Sequence, residues 1–475
     1  MRPADSQTIK ICRFADRPTL TMSSAVSSVA PTAELTTPPR RVLPPDDAQR
    51  RVLHNEVHAR PPARIRLPAL VVYVAVLNEG ITREMEWQHL RQLPGQEGLT
   101  LEHLSGNFQR LRFANHTLKW ERHTEFTRYS IVQALPDGAL VHGDDEELIR
   151  ALVVDPAWLA AIPGRTVAAI MMAMVHGDVD DLMGMKTTGE PWIEGRETMA
   201  SLLGIRRSCV MTDFRLRPSG FERLLVISPA DTSELRVGRI SQRLLELETY
   251  RLMALRGLPV AKDLGPVLTR AESQLAEIMA RMENAETSDQ ELLGILIGLA
   301  ARIERATATH MYRFSATMAY HSLVEQRIEQ LRETPIPGTQ TVGEFMLRRL
   351  SPAIATVQAT SQRLSSLSQR VERASALLRT RVDIATESQN QMLLEKLTKG
   401  QDLQLRLQST VEGLSIAAIA YYVVSLILYV GKAGKAAGLP VNPEILAGAL
   451  IPLVLMGVWW GTRQIHKKLK HSDDH

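Results

Sequence analysis

The sequence is poor in cysteine, with only Cys12 and Cys209 in 475 residues. No zinc ligand set can be built around cysteine in this sequence. We expect Cys12 to lie in a disordered N-terminal segment, so the sequence predicts no structural disulfide. That expectation suits a protein kept in a reducing compartment.

The chain also lacks a strong excess of charge of one sign. It carries 56 basic and 52 acidic residues, a formal net charge of +4 at pH 7. Proteins that bind nucleic acid usually concentrate lysine and arginine on one face or domain, whereas this small excess is matched by the basic residues of the C-terminal tail alone. The sequence therefore predicts no nucleic-acid partner.

Signatures of common enzyme classes are missing as well. We find no glycine-rich phosphate loop, Gly-x-Ser-x-Gly elbow, cysteine–histidine pair or kinase signature. The first 20 residues mix charges and contain no apolar core, so they do not form a secretory signal. We predict that the protein is not an enzyme, and the sequence gives no basis for naming a cofactor.

What the sequence does have is a pair of long apolar runs near its C-terminus, at residues 413–430 and 445–461. Residues 414–430 and 445–461 contain no charged side chain. About 18 such residues in a helix span a hydrocarbon core of roughly 30 Å, and lipid requires a helix because it offers backbone groups no partner. A buried hairpin in a soluble core is the alternative, but the flanking sequence is not apolar enough to cover it. The runs therefore predict a transmembrane hairpin.

Basic residues flank both runs and indicate the orientation of the hairpin. The connecting loop carries Lys432 and Lys435, whereas the tail carries four basic residues and the approach to the first run three more. Cytoplasmic segments carry the excess of lysine and arginine. Trp459 and Trp460 suit the aromatic belt at the inner interface. We therefore predict that both termini are cytoplasmic.

Five segments follow from composition and periodicity. We predict a disordered leader (1–45), an α+β cytoplasmic domain around a largely antiparallel sheet (46–230), a long α-helical stalk (231–412), the two-helix transmembrane hairpin (413–461) and a basic cytoplasmic tail (462–475). Within the α+β domain, β-branched or alternating runs predict strands, and those expected are at residues 69–77, 108–114, 117–122, 126–135, 166–175, 209–216 and 221–227. Helices are expected at residues 47–57, 234–255, 264–286 and 289–332, and a last long one from about residue 342.

A heptad pattern marks the last long helix. Its apolar row repeats every seven residues from Leu350 to Met392, and the row four positions later begins with Ile354 and continues mainly as serine. Sustained heptads indicate a coiled-coil-like seam, and small residues allow another helix to approach closely. We expect a homo-oligomer that is held in part by this seam.

Several separate motifs follow one another along the chain. They are His58-Ala59-Arg60-Pro61, Trp120-Glu121-Arg122-His123-Thr124-Glu125-Phe126, Thr212-Asp213-Phe214-Arg215, Gly220-Phe221-Glu222-Arg223, Glu248-Thr249-Tyr250-Arg251 and Leu258-Pro259-Val260-Ala261. In this order they resemble a family of uncharacterised bacterial proteins described as predicted membrane-anchored proteins, over roughly residues 46–465. The resemblance implies a protein of the bacterial inner membrane with a large cytoplasmic part, and it implies no activity.

The order of segments also resembles that of CorA-type divalent-cation channels. Those channels carry a Gly-Met-Asn signature at the outer end of the first span, where this chain reads Tyr429-Val430-Gly431-Lys432. Lys432 and Lys435 at that position would repel Mg²⁺, and a ring of lysines would attract anions or close the entrance. Two hypotheses therefore stay open: a homo-oligomeric CorA-like channel or transporter of unknown substrate, and a membrane-tethered ligand-binding or sensory scaffold without a pore.

Candidate site residues in the soluble part are histidines and carboxylates. His54 and His58 are four apart, a spacing that can chelate zinc on a helix, although they can equally fix a helix end. On a strand, Glu121, His123 and Glu125 would share one face, as a metal or proton-handling cluster or as a solvated face with an ion pair.

Another candidate is the acidic turn after a buried strand, with His176 and Asp178, which could hold Mg²⁺ or Ca²⁺ or simply cap the next helix. In the spans the candidates for a pore or a helix interface are Tyr422, Ser425, Tyr429 and Lys432.

Overall fold

A computed structural model describes residues 43–50, 53–54, 61–142, 144–194, 197–204, 207–284, 288–437 and 442–470. The chain divides into two units between residues 60 and 61. Nearly all of the predicted leader lies outside the described residues. Of the helix predicted at residues 47–57, the structure describes only part, in which Arg50, Leu53 and His54 are helical.

In the described residues, the second unit is built on a mixed sheet of nine strands in the order β2-β3-β4-β1-β5-β8-β7-β6-β9. Strands β5 and β8 run parallel, and the other neighbouring strands run antiparallel. The strands are β1 (Ala69–Leu77), β2 (Phe108–Arg112), β3 (His116–Arg122), β4 (Phe126–Ala134), β5 (Arg165–His176), β6 (Met199–Leu203), β7 (Ser208–Thr212), β8 (Glu222–Ser228) and β9 (Thr334–Pro335). The expected α+β fold with a largely antiparallel sheet is thus observed.

Helices cover both faces of this sheet. They are α1 (Arg83–Arg91), α2 (Ala139–His142), α3 (Asp145–Arg150), α4 (Pro156–Ala160), α5 (Leu182–Ile193), α6 (Glu234–Leu255), α7 (Gly257–Asn284), α8 (Asp289–Leu331), α9 (Val342–Ala436) and α10 (Pro443–Lys470). Because successive strand residues point to opposite faces, β1 contributes Leu70 to the core under the short helices and Val71 to the core under α6, α8 and the start of α9. Strand β1 is buried along its whole length, which explains its unbroken apolar sequence.

A third core lies among α7, α8 and α9. The heptad row that predicted a coiled-coil-like seam is buried there from Leu350 to Leu378, against helices of the same chain. Further along, Ala385 and Met392 are exposed. The first half of the apolar row therefore packs against helices of the same chain, whereas its second half is uncovered in a single chain.

Two predicted boundaries were wrong by four residues or more. The strand expected at 209–216 ends at Thr212, because Phe214 adopts φ = 50°, in the left-handed region that a strand cannot include. The helix expected to begin at residue 264 begins at Gly257, since Pro259 falls in its first turn, where the missing N–H has no helical partner to lose.

Helix α9 is 95 residues long and starts with a capping box, in which Thr341 and Glu344 satisfy each other's backbone N–H groups. Residues 383–411 of this helix are all exposed in the single chain. The C-terminal part of α9 and helix α10 are long and apolar enough to cross a membrane. These are the two segments in which the sequence predicted the hairpin.

Candidate functional site

The first apolar segment of α9 carries a row of polar side chains along one side. Tyr422, Ser425, Tyr429 and Lys432 follow one another at steps of three, four and three residues. With 3.6 residues per turn this spacing keeps them on one face of the helix. The sequence singled out these four residues, and the structure shows that they form a single row.

This row lies on the side of α9 that turns away from α10. The side facing α10 is apolar or small: Gly431 lies at Pro443, and Ile427 and Gly434 line a groove with Leu446. Tyr422 is 73% exposed and Tyr429 68% exposed. The hairpin of one chain therefore leaves the polar row uncovered in the apolar region.

The row continues beyond the apolar segment, which the sequence analysis missed. Ser415 precedes Tyr422 by seven residues, and Gln401, Gln404 and Gln408 extend the same steps of three and four into the stalk. All of these residues are exposed. The signal that could have found them is the heptad spacing itself, offset from the buried row that ends near Leu378.

Lys432 closes the row at the end of the first apolar segment. Its ammonium nitrogen lies 5.9 Å from the centre of the Tyr429 ring, within the range of a cation–π contact. Lys435 instead lines the groove between α9 and α10. Of these two described lysines, Lys435 alone lines the groove toward α10.

In the soluble part, Glu121 is fully buried at the centre of a chain of charges. Its carboxylate contacts Lys119 Nζ at 3.0 Å and accepts a hydrogen bond from Arg128, which also donates to Glu246 on α6 at 3.1 Å. Arg327 of α8 donates to the other oxygen of Glu246 at 2.7 Å. Although burial opposes ionisation, the Arg128 guanidinium and Lys119 lower the pKa of Glu121 to about 2. Glu121 is therefore a fixed anion that ties two helices to the sheet.

His123 and Glu125 lie beyond the end of the strand that carries Glu121. Strand β3 ends at Arg122, so the alternation expected through residue 126 stops and the next three residues form a turn. The His123 ring stacks on Phe126 with centroids 4.5 Å apart, and Glu125 accepts two hydrogen bonds from Arg313 of α8 at 2.7 and 3.2 Å. The three candidates therefore contact different partners.

The remaining candidates lie apart from this cluster. His58 lies outside the described residues, so its role as a ligand stays a prediction. His176 is exposed at the end of β5, and Asp178 accepts a hydrogen bond from the Asp180 N–H. Asp181 caps α5 by accepting from the Gly184 N–H at 2.9 Å, as the structural alternative anticipated. Among the described residues, no group of three or more metal-ligating side chains is placed to hold a metal ion.

The exposed polar row on α9 is thus the described feature that calls for a functional explanation, and comparison with known proteins supplies no activity for it. No curated protein matches the chain. Residues 45–469 match a family described as "Protein of unknown function (DUF3422)". This match agrees with the resemblance to an uncharacterised family and leaves the likeness to CorA-type channels as an expectation. Because the match covers almost the whole chain, the protein belongs to the DUF3422 family.

Proposed function

We propose that the protein is a homo-oligomeric membrane channel in which the α9 helices of several copies surround a central path. One observation carries the proposal: the polar row from Gln401 through Tyr422 to Lys432 faces away from α10, and apart from the half-buried Ser425 its residues are exposed in the described part of one chain. Polar side chains within a membrane segment face a bundle interior or a water-filled cavity rather than lipid. Other copies of α9 would give the row that environment.

The stalk supports the same assembly. Its exposed section carries many large apolar side chains, among them Met392, Leu394 and Leu397, each more than half exposed. A helix in a protein gains most of its stability from packing its apolar face against other parts of the structure. A patch of exposed apolar side chains of this extent marks an interaction surface. Parallel copies of α9 would cover these side chains in the stalk and the polar row in the membrane at once.

Lys432 bears on what such a path would conduct. In a ring of copies this residue would place a circle of ammonium groups at one mouth, and rings of lysine attract anions and repel divalent cations. We therefore propose a path that prefers anions, in contrast to the Mg²⁺ channels whose segment order the chain resembles. The Gly-Met-Asn signature of those channels is absent here.

The first test is the mass of the purified protein in nanodiscs, measured by native mass spectrometry. We expect a ring of at least four copies. A monomer or dimer would overturn the proposal, because two or four spanning helices arranged in this way cannot enclose a path.

Flux measurements in proteoliposomes then test the row itself. Tyr422→Ala should change chloride flux several-fold, because a bulky ring at the path is removed. Ile427→Ala, on the side of α9 that faces α10, should leave the flux near the wild-type value. Lys432→Glu should reduce the preference for chloride over potassium more than Lys435→Glu does. Equal effects within each pair, or no flux by the wild type, would contradict a path lined by this row.

A membrane-tethered scaffold without a pore is the second candidate. It is favoured by the tyrosines, because Tyr422 and Tyr429 could equally hydrogen-bond across a dry helix interface. A ring-shaped oligomer that shows no chloride flux would support the scaffold function.

A further inference from the structure

Five arginines converge on one cavity of about 370 Å³ on the soluble part. Three of them, Arg236, Arg239 and Arg243, come from one side of α6 at steps of three and four residues, and Arg207 and Arg332 come from separate turns. The first three share a face because of the helical repeat. Three segments that are distant in sequence thus bring guanidinium groups to one place.

Among the residues that the structure describes, no carboxylate lines this cavity. None of the five arginines forms an ion pair with a residue that the structure describes, whereas their neighbour Arg327 is paired with Glu246. Burial and then the positive charges of Arg239, Arg327 and Arg332 lower the pKa of Arg243. The cavity therefore holds repelling positive charges without a counter-charge among its lining residues.

A structural role accounts for only one of these side chains. Arg243 Nη1 donates to the Gln330 carbonyl at 3.0 Å, near the C-terminal end of α8, where the helix dipole favours a cation. Arg332, which ends α8, adopts φ = 49°, a conformation in which glycine is favoured. Keeping an arginine at this position adds strain and repulsion that glycine would remove, so stability alone does not explain it.

We propose that this cavity binds a phosphate-bearing organic anion with several negative charges. Guanidinium groups present planar pairs of donors that match phosphate oxygens, and arginine serves this purpose better than lysine does. Leu203, Ile240 and Leu331 form an apolar part of the lining, which suits the organic portion of such a ligand.

The position of the cavity indicates a soluble ligand rather than a lipid headgroup. The cavity adjoins β6, where the Gly204 N–H donates to the Leu331 carbonyl at 3.0 Å and the Ser201 hydroxyl accepts from the Val342 N–H at 2.9 Å. It therefore lies near the start of α9. About 70 residues of helix separate this point from the first apolar segment, which is about 105 Å at the usual rise. A headgroup of the membrane that the hairpin enters would not reach it.

The test uses the full-length protein in detergent, with pyrophosphate and ATP as probes at constant ionic strength. We expect both to raise the thermal midpoint of the wild type and to bind in calorimetry. The variant Arg239→Gln/Arg332→Gly should bind at least tenfold more weakly, since it removes two exposed donors and relaxes the backbone at residue 332. The control Arg270→Gln, an equally exposed arginine on α7, should bind like the wild type.

The unliganded proteins provide a second readout. Without anion, the double variant should have a midpoint at least as high as the wild type, because repulsion and strain are reduced. A lower midpoint would assign the arginines to folding and overturn the proposal. Equal loss of binding in Arg270→Gln would do the same, and so would binding only to vesicles that contain phosphatidylglycerol, since the source would then be lipid. None of these results depends on whether the protein forms a channel.

Discussion

At the scale of single residues, the buried charges of the sheet act as fixed connections between layers. Glu121, Arg128 and Glu246 are each almost completely buried and are joined in one chain of hydrogen bonds. Each charge is compensated by the next, so the loss of one partner leaves another buried and unpaired. The connection links β3, β4 and α6, and through Arg327 it reaches α8.

Glu121→Gln tests this connection. It should lower the free energy of unfolding by about 3–5 kcal/mol, because Arg128 and Lys119 lose their buried counter-ion. The pKa of Glu121 in the folded protein is about 2, below the ordinary value of 4.5, so its stabilising effect is present above pH 4.5 and is lost as the pH falls towards 2. The thermal midpoint of the wild type should therefore fall more steeply with acid than that of the variant.

A matched control is Glu146→Gln, which makes the same chemical change at an exposed ion pair with Arg150. Exposed pairs contribute little, so its midpoint should stay close to the wild type at every pH. If both variants lost equal stability, the buried chain of charges would have no special role.

Residue patterns predicted these positions only in part. Strict alternation placed Glu121, His123 and Glu125 on one face, but the strand ends at Arg122. No residue type in the motif predicts the turn that follows. The partners Glu246 and Arg313 lie far away in sequence. Periodicity gives the direction of a side chain within an element, whereas contacts between elements depend on the tertiary fold.

At the scale of elements, α9 changes its surroundings along its length. Up to Leu378 its apolar row is buried against α7 and α8, and beyond residue 382 it is exposed until the apolar segment. The heptads predicted a coiled-coil-like seam, but a sequence pattern does not say whether a partner helix belongs to the same chain. In the structure the row packs within the chain up to Leu378, and a seam between copies over its second half stays a prediction.

Leu397→Gln and Leu403→Gln test where that partner lies. The two leucines are similarly exposed in one chain, at 57% and 61%, and leucine and glutamine have similar helix propensities. Leu397 belongs to the row that continues through Gln401 and Tyr422, whereas Leu403 lies about 130° around the axis from it. Native mass spectra should therefore show smaller assemblies for Leu397→Gln alone. Two unchanged spectra would exclude the row as a seam between copies.

At the scale of the whole molecule, one question is which side of the membrane holds the sheet. The α9–α10 hairpin would place both ends of the chain on one side, and the distribution of basic residues predicts that this side is the cytoplasm.

Several elements of the soluble part agree closely with the sequence prediction, such as β1 and α6, because they are long, strongly patterned or bounded by proline and serine. The short strand β6 was missed, since five residues give too little periodicity.

The orientation can be measured by cysteine labelling in spheroplasts. In a Cys12→Ser background, where Cys209 is buried and its pKa is raised by burial, Ala437→Cys and Asp473→Cys introduce one reactive thiol each. A membrane-impermeant maleimide should label Ala437→Cys in intact spheroplasts, and it should label Asp473→Cys only after the spheroplasts are permeabilised. The reverse pattern would place the soluble part outside.

The unbroken length of α9 has a mechanical consequence. From Leu378, the last buried residue of its apolar row, to Tyr422 in the apolar segment, the helix extends about 65 Å at the usual rise. Beyond the contacts of Arg381 with Met282 and Asp289, its residues 383–411 are all exposed. Over that distance a tilt of about 5° displaces Tyr422 by about 6 Å, roughly one helical turn. The helix is therefore a lever whose short arm is clamped by the sheet and its helices. Small changes in the orientation of the packed first part of α9 would therefore produce larger displacements at its apolar segment.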